Sequence, residues 1–254
     1  MQTLVLLHGA PGSGDLWKPV AEAVGDDIHL VTPTLRWFGS EPWRGDDSDF
    51  GTEAHTEQLI GLLENLDGES QIGVAAWSYS THVLLNALLL RPGLVSKAFL
   101  YEPGLSTYLA GEGDLKAFNA DAMAAFGPVV AALQTGGAEA AMAALFDSTG
   151  GEGCYAALPD ARRSAYLASA RVLPLLMGGG RPPANITAGD LARIRTPTTV
   201  AYGRNSRPLF TIASRGVARA VPGAQLVEVD DADHMLPEKD ARRFASMLRD
   251  WMEQ

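Results

Sequence analysis

Cysteine occurs once in the 254 residues, at Cys154, so the chain can form no internal disulfide and no thiolate metal cluster. Its five histidines are separated, without the short spacings of a metal site. No metal or cofactor is therefore expected. Basic residues are the scarcer charge. Twenty Lys and Arg stand against 30 Asp and Glu, for a net charge of −10, and no basic stripe offsets the repulsion, so neither nucleic acid nor an anionic membrane is an expected partner. No apolar run approaches the roughly 20 residues that would span a bilayer. The opening "TLVLL" lacks the basic flank, apolar run and small-residue cleavage site of a secretory signal, so a reducing, cytoplasmic setting is expected. Internal repeats and low-complexity tracts are absent too. What the chain has in quantity is apolar residues, at 46%, enough to bury the core of one large α/β unit.

Along the first hundred residues short apolar runs alternate with helical patterns, as in parallel strands joined by crossover helices. The strand-like runs are "TLVLLHG" (Thr3 to Gly9), "IHLVTP" (Ile28 to Pro33), "IGVAAW" (Ile72 to Trp77) and "KAFLYEP" (Lys97 to Pro103). Between them "DLWKPVAEAV", "TEAHTEQLIGLLENL" and "STHVLLNALLL" carry apolar residues three or four apart. Later "TPTTVAYG" and "AQLVEVD" read as two more strands, and "EKDARRFASMLRDWMEQ" closes the chain as an amphipathic helix. A mostly parallel six-stranded sheet flanked by helices is expected. From Gly104 to about Pro183 the alternation gives way to Ala, Met, Leu and Gly in helical segments. The expected organisation is a core over 1–103 and 184–254, with 104–183 inserted as a helical cap over the carboxyl ends of the strands, where open α/β sheets bind ligands.

One stretch raises a chemical question. "GVAAWSYSTHVLL" places Ser78 at the corner between a buried strand and a helix. A serine at such an elbow holds its hydroxyl out of the sheet while the next backbone N–H points at the same spot. Ala76 and Ser80 keep small residues two places either side of Ser78, where the turn leaves no room for bulk, although neither is glycine.

With "HGAPGSGDLW", "TPTLRWFGS", "AWSYS", "LYEPG", "IRTPTTVAYG" and "DADHMLPE" in that order, the chain resembles the α/β-hydrolase family over nearly its whole length. Because it starts at the strand before His8-Gly9, it resembles the compact members, such as hydroxynitrile lyases and plant methylesterases. The resemblance implies an oxyanion hole from the backbone N–H groups of Ala10 and Tyr79. Losing one such donor typically costs about 3 kcal/mol in the transition state. It implies His234 as the base, taking the Ser78 proton and returning it to the leaving group. His8, His29, His55 and His82 are expected to be structural, with His55 on a surface helix pattern.

The family's usual acid position, after the strand "TTVAYG", here reads Gly203-Arg204-Asn205-Ser206-Arg207-Pro208, without a carboxylate. Glu102, at the carboxyl end of "KAFLYEP", is the candidate replacement, a placement that resembles the fungal zearalenone lactonases. Asp233 is a substitute, Asp230 and Asp231 are expected to be solvated, and Asn205 or Ser206 would hold the ring by a neutral hydrogen bond.

Trp37, Phe38 and Trp77 are expected to wall the substrate pocket, with Trp17 and Trp43 nearby, which favours an apolar or ring-bearing small molecule. Met123, Met142 and Met177 are expected in the core of the cap. Arg36 and Arg204 are left between steering a carboxylate and facing solvent. The leading expectation is a cofactor-free serine esterase or lactonase acting through an acyl-enzyme. A lyase, cyclase or cofactor-free oxygenase with His234 as base, and a non-catalytic binding protein, stand as alternatives on the same fold. A small-molecule substrate is the expected partner, and a homodimer is left open.

Overall fold

Runs rich in Leu, Val and Ala are what a parallel sheet covered by helices requires, buried on both faces in the middle strands and more open at the two edges, where the last strand keeps only Val229 buried. In the computed structural model, which describes residues 2–43, 46–66 and 71–254, they form β1 (Gln2–Leu7), β2 (Ile28–Val31), β3 (Ile72–Trp77), β4 (Lys97–Tyr101), β5 (Thr198–Gly203) and β6 (Gln225–Val229). The six strands are all parallel, in the order β2-β1-β3-β4-β5-β6. Around them lie α1 (Lys18–Val24), α2 (Thr52–Asn65), α3 (Tyr79–Leu90), α4 (Glu112–Thr135), α5 (Gly137–Gly150), α6 (Asp160–Ala168), α7 (Ala188–Leu191), α8 (Pro208–Ala220), α9 (Leu236–Lys239) and α10 (Ala241–Glu253).

Register sorts the side chains onto two faces. Leu6 pairs with Ala75, Ala75 with Phe99, and Trp77 with Tyr101. This row packs against Val20 and Val24 of α1 and Phe244, Leu248 and Trp251 of α10. The alternate row, Val5, Val74, Ala98, Leu100 and Val200, packs against Leu59 and Leu63 of α2, the Val83–Leu88 segment of α3, and Leu209, Ala213 and Val217 of α8. A period of two along the inner strands β1, β3, β4 and β5 thus becomes two apolar layers, one on each side of the sheet.

The strand order also locates the site. From β1 the chain steps outward to β2 and then crosses back to β3 on the other side of β1, so the crevice between the carboxyl ends of β1 and β3 is the topological switch point where such sheets bind ligands. Helices α4 to α7 all lie between β4 and β5 in sequence. Met142 is fully buried there, but Met123 is 77% exposed on α4, which corrects its expected place in a core. Among the described residues, no helix is long and apolar enough to cross a membrane.

Candidate active site

Ser78 follows β3 directly with φ 57° and ψ −118°, in the left-handed region that a residue with a Cβ rarely adopts. Its amide donates to the Tyr101 carbonyl at 2.9 Å, which clamps the elbow to β4. Serine at a helix N-cap ordinarily spends its hydroxyl on a backbone N–H of the first turn. Ser78 makes no such bond at the start of α3, and among the described residues its Oγ has no hydrogen-bond partner. Ser80, in the place of the usual glycine, is fully buried and donates its hydroxyl to the His8 carbonyl, tying α3 to the turn after β1. Gly9 in that turn suits the close approach of the buried Trp77 indole, from which a Cβ would lie 3.0 Å.

His8 holds the same turn. Its Nε2 accepts from Leu35 N–H at 3.1 Å, which leaves the proton on Nδ1 to donate to the Gly9 carbonyl at 3.0 Å. Burial pulls its imidazole down to about 4, so it is neutral near pH 7. Among the described residues, the backbone N–H groups of Ala10 and Tyr79 donate to no protein acceptor, and both residues line the cavity beside Ser78.

Three strand ends converge on His234. Glu102, just past β4, is fully buried, and its Oε2 lies 2.7 Å from His234 Nδ1. Its other oxygen accepts from Gly203 N–H at 2.7 Å and from the Ser206 hydroxyl. With Gly203 N–H and the Ser206 hydroxyl holding one oxygen, the other is aimed at His234 Nδ1, an arrangement that places the ring proton on Nδ1 and, among the described residues, leaves Nε2 without a partner. The His234 loop is held from below by Trp77 Nε1, which donates to the His234 carbonyl at 3.0 Å, and by the Tyr101 hydroxyl, which donates to the Asp233 carbonyl at 2.7 Å. Gly203 admits this loop, since a Cβ there would stand 2.3 Å from the Ala232 carbonyl oxygen. Asp233 turns its carboxylate to Lys239 and to Met235 N–H. Asp230 pairs with Arg204. Ser206 reaches the carboxylate of Glu102, not the ring of His234.

Ser78, His234, Ala10, Tyr79 and Trp77 share one cavity of about 320 Å³. Its remaining walls are largely Phe118, Phe126, Phe146, Leu176, Met177 and Phe210, most of them from the segment between β4 and β5. Among the described residues, no Asp, Glu, Lys or Arg lines it. The other hydroxyls on its wall are already engaged: Tyr79 donates to His55 Nδ1 at 2.8 Å, Thr149 to the Leu145 carbonyl at 2.9 Å, and Tyr166 to Glu238 at 2.6 Å.

Two sequence expectations are corrected here. Trp37 and Phe38 do not line the cavity. They are buried in a separate cluster with Leu35, Phe50 and Val172, against which Ala10 and Tyr79 pack from the cavity side. The loop after β2 turns inward because aromatic rings there find His55, which is fully buried and not on a surface face. His55 donates from Nε2 to the Arg36 carbonyl at 3.0 Å, and burial pulls it down to about 4. The cluster is thus a buttress behind the two free amides. Trp17 packs on Trp77 and Phe244 in the core, and Trp43 lies under the Arg171 guanidinium at 4.7 Å.

Phe210 was not legible as a site residue. Its ring stacks on His234, 3.6 Å between centroids and 7° between planes, from the first turn of α8. The helix itself had a signal, Pro208 at the first position and Leu209, Phe210, Ala213 and Val217 on one face. Nothing in that pattern says which ring Phe210 meets.

A model of the alpha/beta hydrolase family matches residues 4–247. The fold is similar to that of an esterase from Thermogutta terrifontis, at 18% identity and TM-score 0.64, covering 100% of this chain and 90% of that one. It is also similar to a bromoperoxidase from Bacillus anthracis, at 17% identity and TM-score 0.74, covering 100% and 92%. A haloalkane dehalogenase variant from Bradyrhizobium elkanii gives 16% identity and TM-score 0.66, covering 99% and 89%.

Proposed function

The chain belongs to the alpha/beta hydrolase family, and from that premise we propose that it is a serine hydrolase cleaving a carboxylic ester or lactone whose acyl or ring portion is apolar and uncharged. The observation that carries the reading is the 2.7 Å contact between Glu102 and His234 Nδ1, which leaves the second ring nitrogen free in the cavity that Ser78 lines. In this mechanism His234 Nε2 takes the Ser78 hydroxyl proton as Oγ attacks the carbonyl carbon. Charge then grows on the carbonyl oxygen, where the N–H groups of Ala10 and Tyr79 receive it. Collapse of the tetrahedral intermediate breaks the ester C–O bond, and the imidazolium returns its proton to the leaving alkoxide. Water, deprotonated by the same nitrogen, hydrolyses the acyl-enzyme. Glu102 keeps the ring in the productive tautomer and stabilises the imidazolium.

Substrate class follows from what the walls offer. Apart from that of Ser78, the side-chain hydroxyls on the wall are spent on protein acceptors, and among the described residues no carboxylate, ammonium or guanidinium group lines the cavity. A charged or polyhydroxylated acyl group would lose its hydration without replacement, at several kcal/mol per group. Phenyl and aliphatic walls repay only apolar area. The segment between β4 and β5 supplies most of those walls, and in this reading it acts as the lid of the site.

The test is a fluorophosphonate probe followed by mass mapping of the labelled peptide, beside turnover of p-nitrophenyl esters of graded acyl length. Wild type is expected to label at Ser78 and to hydrolyse the apolar esters, and Ser78→Ala to do neither. Specific labelling that persists in Ser78→Ala, or ester turnover unaffected by that change, rejects the proposal. An enzyme quenched in turnover without any acyl adduct would favour base chemistry at His234 without acylation.

A further inference from the structure

Helix α8 begins without a cap of its own. Its N-cap residue is Arg207, which makes no side-chain capping bond, and Pro208 follows at the first helical position. The missing acceptor comes from a different part of the chain. Asp121, in the middle of α4, accepts the Leu209 N–H at 3.1 Å and takes the Arg207 guanidinium in a two-point contact, Nη2 at 2.7 Å and Nε at 3.3 Å. Arg207 Nη1 also donates to the Ser148 carbonyl of α5 at 3.2 Å. Both partners are largely buried, with side-chain exposures of 16% for Asp121 and 29% for Arg207.

The turn that Asp121 caps is the one that touches the proposed catalytic pair from two sides. Ser206, immediately before it, donates to Glu102, and Phe210, within it, stacks on His234. On α4 itself, Phe118 and Phe126 flank Asp121 and line the cavity. A second α4–α8 link exists at the opposite end of α8, where Arg219 pairs with Asp114, both well exposed. It joins the same two helices but touches nothing in the site.

We propose that Asp121 is a positioning residue for the Glu102–His234 pair, acting through the first turn of α8, so that the helix lining the cavity also sets the geometry of the base. The inference rests on the serine-hydrolase reading above. With an amide in place of the Asp121 carboxylate, one oxygen still serves the Leu209 N–H but an N–H₂ faces the Arg207 guanidinium, so the two-point contact breaks and the first turn of α8 shifts. Ser206 and Phe210 move with it. Small misplacements of a base are amplified in rate, because the reacting geometry tolerates only fractions of an ångström.

The experiment compares Asp121→Asn, Arg207→Gln and Asp114→Asn with wild type, using p-nitrophenyl acetate, whose short acyl group makes few contacts with the cavity wall. Assays are run well below the melting temperature of each variant. Asp121→Asn is expected to lower kcat about tenfold with KM changed less than about twofold, and Arg207→Gln to reproduce the effect from the α8 side. Asp114→Asn is expected to keep both constants at the wild-type level. Wild-type kcat in either of the first two variants, or an equal loss in Asp114→Asn, overturns the proposal, the latter because general loosening of α4 against α8 would then explain everything. Fluorophosphonate labelling of wild type at Ser78 is measured in parallel. Its failure would sink the serine-hydrolase reading and this inference with it, whereas normal labelling with unchanged Asp121→Asn kinetics would sink this inference alone.

Discussion

Phe210 lies flat on His234, so the face of the imidazole is covered by a phenyl ring while its edge carries the exchangeable nitrogens. The stack limits rotation of the ring and keeps water off one face, leaving the 2.7 Å bond to Glu102 to set the in-plane orientation. An aromatic pair of this kind contributes about 1 kcal/mol beyond buried area. Phe210→Leu is expected to lower kcat/KM for an apolar p-nitrophenyl ester about fivefold. A value within twofold of wild type would show that the stack does not position the base.

Glu102→Gln tests the carboxylate directly. An amide N–H₂ facing Nδ1 would demand an acceptor there, moving the ring proton to Nε2 and removing the lone pair that Ser78 needs. A loss in kcat of about 10²- to 10⁴-fold is expected, with the fold retained by circular dichroism. Ser206→Ala leaves the Gly203 N–H on the same oxygen and is expected to cost only about 1 kcal/mol, near fivefold in kcat. Full turnover in Glu102→Gln would remove that residue from the mechanism.

Acid sensitivity follows from three buried histidines. His8, His55 and His82 are each held near 4 by burial, below the ordinary value of about 6.5 that the unfolded chain would show. Between those two values the unfolded state binds protons that the native state does not, so stability falls as pH drops from about 6.5 towards 4 and is unaffected by these groups above that window. Urea midpoints at pH 7.5, 5.5 and 4.5 should decline in that order. His82→Gln, which keeps a donor for the Ala184 carbonyl, should show a smaller decline than wild type. A flat midpoint across the three pH values would contradict the argument.

Glu238 joins the segment between β4 and β5 to the loop that carries His234. It takes the Arg162 guanidinium on both oxygens and the Tyr166 hydroxyl at 2.6 Å, with 4% of its side chain exposed. Removing one partner of a buried pair strands the other charge, so Glu238→Ala is expected to destabilise the protein by about 3 kcal/mol. Chemical denaturation measures it, and a change below about 0.5 kcal/mol, as for an exposed pair, would show that the pair is not buried in solution.

Sequence alone made the sheet legible, because a strand's burial and a helix's apolar stripe are local periodicities that each segment carries in itself. "IGVAAW" followed by "STHVLLNALLL" sufficed to put Ser78 on an elbow, and the missing carboxylate after "TTVAYG" was visible as an absence. Which groups meet was a different matter. Glu102 and His234 are 132 residues apart, and their contact exists because β4, β5 and the loop after β6 end on one rim in a register that no single segment encodes. The same holds for the errors. Trp37 and Phe38 were aromatic residues near a strand end, and only the packing of α2 against that loop decided that they meet buried His55 and stand behind Tyr79, outside the cavity. Nothing in the sequence singles out Asp121 or Phe210, since capping in trans and ring stacking depend on how α4 and α8 cross. Periodicity determines which face of an element is buried; the side chain it is buried against is chosen by the arrangement of all the others.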